Sequence, residues 1–205
     1  AVKSNDANVL QKIIKDKANQ EGFSIGPLHH YGRANFNVFN SESDSVNSYG
    51  LLGDMETHRT GIFFSDSEDF AKNYGNIKYS VYLKGNFYDA RKWVMFDKIR
   101  GDFRSTLDPH NTQERDMWFA VSFEACKEAW KLLEDTIGPV FKKFLIEQGY
   151  DGIIFNEGMN ETEGSTYTVF NPNQIKSAIE KVKDNFGDVI PLSKRFNQDN
   201  PDIRF

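Results

Sequence analysis

"GIFFSDSEDFAKNYG", residues 61–75, sets an apolar aromatic run against a polar turn and then a short helical stretch that closes on a tyrosine. On a strand, Ile62 and Phe64 face inward together, and on the helix that follows, Phe70 and Tyr74 are four apart and share a face. The local pattern is strand, turn, helical turn. Core packing alone accounts for such a segment, because aromatics mostly mark cores. Any further meaning has to come from the rest of the chain.

Downstream, "IKYSVYLKGNFYDA" (77–90) alternates Tyr79, Val81 and Leu83 with polar neighbours and Tyr82, as a strand does. Upstream, "NDANVLQKIIKDKANQ" (5–20) places Val9, Leu10, Ile13 and Ile14 at helical spacing. "GFSIGPLHHYG" (22–32) then leads into a short strand, and residues 37–60, polar and without periodicity, read as one long loop. Residues 112–134 are expected to form a helix containing Trp118, Val121, Phe123, Cys126 and Trp130. A second helix is expected over 138–148, with Pro139 in its first turn and Gly149 ending it. "GIIF" (152–155), a polar loop (156–165), "TYTVF" (166–170) and an "NPN" turn follow. Strands separated by loops and helices without strict alternation indicate an α+β fold, not a doubly wound parallel sheet.

The chain has 205 residues, enough to bury a core without staples. Its net charge of −5 gives no general reason to expect a nucleic-acid groove or an anionic membrane partner. Cys126 is the only cysteine, which excludes an internal disulfide and a multi-thiolate zinc site and fits a reducing, cytoplasmic compartment. No apolar run approaches the roughly 18 residues of a membrane span. The start at Ala1 suggests processing or excision from something larger.

Motifs for several chemistries are missing. Neither GxGxxG nor GxxxxGK[ST] occurs, so a nucleotide would need another kind of pocket. No GxSxG elbow is present, and Cys126 has no obvious base beside it. His29 and His30 are adjacent and would face opposite sides of a strand, while His58 and His110 have no ligand-like spacing, so no metal is expected. "KRFNQDNPDIR" (194–204) reads as solvated surface.

Three segments taken together carry more. "HYGRANF" (30–36), "GIFFSDSEDFAKNY" (61–74) and "STYTVFNPNQIKSA" (165–178) occur in the order and spacing of the three NAD-site motifs of ADP-ribosyltransferases of the diphtheria-toxin/PARP-like branch. The resemblance is closest to the domains of phage-borne and polymorphic-toxin proteins. These commonly read H-G-T, G-I-Y-F-T/A-D, G-Y-D-G-I-I and E-Y-V-V-F-N-P-N-Q-I-K-S, and often end in N-P-D-I. "GYDGII" (149–154) and the closing "NPDIRF" match as well.

The resemblance implies an ADP-ribosyltransferase α+β fold, a split core of two small β-sheets with flanking helices and an NAD cleft between them. It implies a helical extension at 1–25, the transferase domain at 26–182 and a tail at 183–205 packed on the domain or trailing it. It further implies a mono-ADP-ribosyltransferase, of phage or toxin effector type, that uses NAD as substrate and no metal, the acceptor being open among protein, DNA and RNA. His30, followed by Tyr31 and Gly32, would hydrogen-bond the adenosine ribose, and Phe63 and Tyr74 would clamp the nicotinamide ring, leaving Phe64 and Phe70 to the core. Ala71 stands where the family often has a serine. Thr166 stands at the family's catalytic glutamate, and a threonine hydroxyl brings neither charge nor basicity. Glu161 and Glu163, just upstream, are the candidates to replace that carboxylate.

Overall fold

The computed structural model of the chain describes residues 2–40, 59–156 and 164–205. It has the α+β class expected, with seven strands and five α-helices among the described residues. The chain divides into two compact units, one from Ala1–Asn40, Phe63–Gly85 and Asn171–Phe205, the other from Ser41–Ile62 and Asn86–Phe170.

In the first unit, helix α1 (Val2–Gln20) buries Ile14 and Ala18, four apart, with Phe23, Tyr82, Ala178 and Phe196, while Leu10 packs against that cluster. Val9 and Ile13, expected on the same stripe, are exposed. Gly22 ends the helix with φ of 86°, which lets its own N–H and that of Phe23 bond back to Asn19 and Ala18. Strand β1 (Ile25–Gly32) then pairs antiparallel with β2 (Ile62–Ser65) on one side and β3 (Ile77–Leu83) on the other. Strand β7 (Ile175–Ser177) pairs antiparallel with β3. The "NPNQ" turn before β7 is a capping box: Asn171 accepts from Asn173 N–H, and the Gln174 side chain accepts from Asn171 N–H.

Helix α2 (Glu68–Ala71) is a single turn, prolonged by a 3-10 turn over Lys72–Tyr74. The "SDS" run explains its start, since Ser65 Oγ accepts from Ser67 N–H and Ser67 Oγ, at the N-cap, accepts from Phe70 N–H. The segment 194–204, read as solvated surface, is anchored instead. Phe196, Arg195 and Ile203 are buried, the Arg195 guanidinium donating to the carbonyls of Ser177 and Ile179 at 2.8 and 2.9 Å.

In the second unit, β4 (Phe87–Asp89) pairs parallel with β5 (Gly152–Asn156), which pairs antiparallel with β6 (Ser165–Val169). Helix α3 (Trp93–Ser105), not anticipated from the sequence, buries Phe96, Ile99, Arg100 and Phe103. The helix expected over 112–134 breaks in two. Helix α4 (Thr112–Ala120) stops at Val121, and a 3-10 helix resumes at Ala129–Leu133. Ser122 Oγ takes the Ala125 N–H and the Ser122 carbonyl takes the Cys126 N–H, closing a single turn that ends at the buried Cys126. Helix α5 (Ile137–Glu147) closes at Gly149, whose φ of 83° permits the same double bond-back as at Gly22. Phe141, Phe144 and Leu145 of α5 and Phe103 of α3 form the core with Ile153 and Phe155 of β5. No helix among the described residues is long and apolar enough to cross a membrane.

Candidate functional site

His30 lies on β1 and faces inward, while His29 takes the other side, where its Nδ1 pairs with Ser80 Oγ at 3.3 Å. The His30 ring sits in an aromatic enclosure, with Phe39 edge-on at 5.1 Å, Phe64 at 5.7 Å, Tyr79 at 6.0 Å and Phe36 at 6.3 Å between centroids. Its Nδ1 is 2.9 Å from the Phe63 carbonyl oxygen. A carbonyl can only accept, so Nδ1 carries the proton, and in the neutral ring Nε2 is the acceptor. Burial lowers the His30 pKa, with the Phe63 carbonyl pulling the other way. The ring is therefore neutral at pH 7, with its tautomer set by β2.

This placement has a pH consequence. Unfolded, the imidazole titrates at its ordinary 6.5, and folded it titrates lower, so between those values only the unfolded chain holds the extra proton. Stability is expected to fall as pH drops through that window and to owe nothing to His30 above it. His29 is lowered too, by burial first and then by Lys78, so thermal melts of His30→Asn across the window isolate the His30 share. A slope unchanged by the substitution would refute the assignment.

The loop after β1 is held down by Tyr79. Its hydroxyl donates to the Ala34 carbonyl and accepts from Phe36 N–H, both at 2.9 Å, and its ring stacks on Phe36 at 4.5 Å and 13°. At the far end of β1, the Gly32 carbonyl accepts from Asn76 N–H at 3.1 Å. Gly75 is required by this approach: a Cβ there would stand 2.3 Å from the Gly32 carbonyl oxygen.

Of the expected clamp pair, Phe63 is half-buried on β2 beside the fully buried Phe64, as the alternation of the strand demands. Tyr74 is half-buried at the end of the 3-10 turn. Phe70, expected in the core, is also half-buried. A one-turn helix is too short to carry it inward, and its ring backs Tyr74 edge-on at 5.5 Å. Ala71 is buried and contributes a methyl group where a serine would contribute a hydroxyl.

A polar network ties this turn to β1. Tyr31 Oη donates to Glu68 Oε1 at 2.8 Å, and Lys78 Nζ reaches Glu68 Oε2 at 2.6 Å. The Lys78 ammonium, then the Tyr31 hydroxyl, hold the Glu68 carboxyl down at about 2. So Tyr31, expected at the nucleotide, turns its hydroxyl to Glu68. Phe36, Phe39, Tyr79 and Glu68 were missed as site components, although Phe36 and Phe39 follow a strand histidine closely in the sequence.

Thr166 lies on β6 in the second unit, 3% exposed and opposite Phe155 on β5. Thr168, two residues on and so on the same face, is fully buried, and its Oγ1 has no hydrogen-bond partner among the described residues. Tyr167, on the other face, meets Phe87 edge-on at 6.3 Å. Glu161 and Glu163 lie outside the described residues.

Residues 19–185 match the family model described as ADP-ribosyltransferase in polyvalent proteins. No curated protein and no solved structure matches the chain.

Proposed function

From the premise that the chain belongs to the ADP-ribosyltransferase family of polyvalent proteins, we propose that it binds NAD and transfers a single ADP-ribose to a macromolecular acceptor, releasing nicotinamide. The observation that carries this reading is the neutral His30 ring, fixed by the Phe63 carbonyl so that Nε2 is left to accept a ribose hydroxyl. Phe63 and Tyr74 supply aromatic faces for a planar cationic nicotinamide. The bond from nicotinamide nitrogen to ribose C1′ breaks with its electron pair leaving on the nitrogen, through an oxocarbenium-like state. The acceptor then adds to C1′ and gives up its proton. We read the protein as a phage or toxin effector acting in a cytoplasm.

Thr166 favours a second reading, an NAD-binding module with little or no turnover, since a buried threonine brings no charge to a developing cation. One pair of measurements separates the two. NAD at one hundred times its dissociation constant should stabilise the fold by about 2.7 kcal/mol under either reading. Nicotinamide release with labelling of a bacterial lysate then supports transfer, and release without labelling means that water is the acceptor. Binding without release supports the silent module, and no thermal shift at millimolar NAD overturns both.

A further inference from the structure

Residues 200–204 are held by a buried ammonium. Lys176, on β7, is 1% exposed. Its Nζ donates to the main-chain carbonyls of Asn200 and Asp202, the latter at 3.0 Å. Next to it, Ser177 N–H donates to the Ile203 carbonyl at 2.8 Å. The segment shapes itself by an Asx turn, Asn200 Oδ1 accepting from Asp202 N–H at 2.9 Å, and by the Asp202–Arg204 ion pair at 2.7 Å.

Its other side meets the loop after β1. Ile203 N–H donates to the Asn37 carbonyl at 2.8 Å, and Asp202 bridges Val38 in antiparallel fashion. Asn37 and Val38 lie between Phe36 and Phe39, the two rings packed on His30. The loop is thus gripped twice, by the Tyr79 hydroxyl at Ala34 and Phe36 and by the tail at Asn37 and Val38. Burial brings the Lys176 ammonium down to about 8, against the pull of Asp202 and with the push of Lys84, so the residue is costly as core filler. What it supplies is a set of donors aimed at two carbonyls.

We propose that residues 200–204, gripped by Lys176, are a positioning element of the nucleotide site, fixing Asn37 and Val38 so that Phe36 and Phe39 hold the His30 ring. The tail that closes on "NPDIRF" then serves binding, not solubility. The proposal rests on His30 as a nucleotide-binding residue, and its test separates the two claims.

Lys176→Met keeps the length of the stem and removes every donor. NAD titration calorimetry on this variant is expected to show a dissociation constant raised about tenfold, the scale of losing hydrogen bonds from one charged group. Amide exchange should quicken at Ile203 and Phe36 and stay unchanged at Val81 in β3. Faster exchange at Ile203 with unaltered NAD affinity would make the tail a simple anchor and overturn the proposal. If Lys176→Met does not fold, a chain ending at Pro201 carries the NAD titration and the exchange at Phe36, faster exchange there with unaltered affinity overturning the proposal, and loss of the fold in both variants would make the segment part of the core, which also overturns it. Absence of NAD binding by the unmodified chain would refute the nucleotide reading alone, with exchange at Phe36 still deciding whether the tail holds the loop.

Discussion

Thr166→Glu is expected to raise nicotinamide release by about 10² to 10³, the range lost elsewhere when one preorganised electrostatic group is removed from an active site. The resemblance of residues 165–178 to the third motif implies a glutamate at this position, and Thr166 lies on a strand at 3% exposure. In so dry a setting a carboxylate is worth more against a developing cation than it would be in water. The same dryness has a cost. Burying an added carboxylate costs desolvation, so the ligand-free variant should melt below the parent and recover more than the parent does when NAD is added.

The pairing of higher turnover with lower stability is the signature to look for. Thr168 tempers the stability cost, because its buried hydroxyl on the same strand face, without a partner among the described residues, is a donor that a neighbouring carboxylate can use. A gain in release would identify the present chain as a weakened enzyme. No gain from Thr166→Glu, together with loss of all activity in Glu163→Gln, would make the loop carboxylate the working group. No effect of either, with NAD still bound, would leave the silent module.

What the sequence made legible was local. Strand β2, the polar turn with its short helical stretch, and the opposite facing of His29 and His30 each follow from neighbours within a few residues, and each is found as read. Helix α3 was not legible, although Phe96, Ile99, Arg100 and Phe103 have helical spacing. Lys92 at its N-cap makes no side-chain cap, Gly101, a poor helix former, lies within it, and Trp93, Val94 and Met95 at its start are exposed. The tail misled for a different reason. Lys176 and Arg195 are satisfied by main-chain carbonyls, which every residue offers and which no side-chain pattern announces. The enclosure around His30 failed to show because Tyr79 acts through its hydroxyl on a loop forty-odd residues away in the chain, whereas the alternation of β3 marks it only as a strand residue.

The adjacent pair Phe63 and Phe64 offers the sharpest separation of fold from site. Phe64 is 1% exposed and packs on Phe39 at 5.2 Å and His30 at 5.7 Å. Phe64→Ala should therefore cost about 3–5 kcal/mol, which at roughly 2–4 °C per kcal/mol for a chain of this size is a fall of about 6–20 °C in Tm. Phe63, half-buried on the opposite face of the same strand, loses little core when cut to alanine. Phe63→Ala should instead remove a stacking face worth about 0.5–1.5 kcal/mol beyond its area, weakening NAD several-fold with Tm nearly held. Tyr74→Ala should behave like Phe63→Ala, and Phe70→Ala should fall between the two classes, since its half-buried ring supports Tyr74 and does not fill the core. The comparison is made on Tm first and affinity second, because Phe64 touches His30 and its loss disturbs both. If Phe63→Ala lowers Tm as far as Phe64→Ala does, both rings are core and the clamp is elsewhere. If Phe64→Ala alone weakens NAD, the strand presents the wrong face to the ligand and the assignment of Phe63 falls with it.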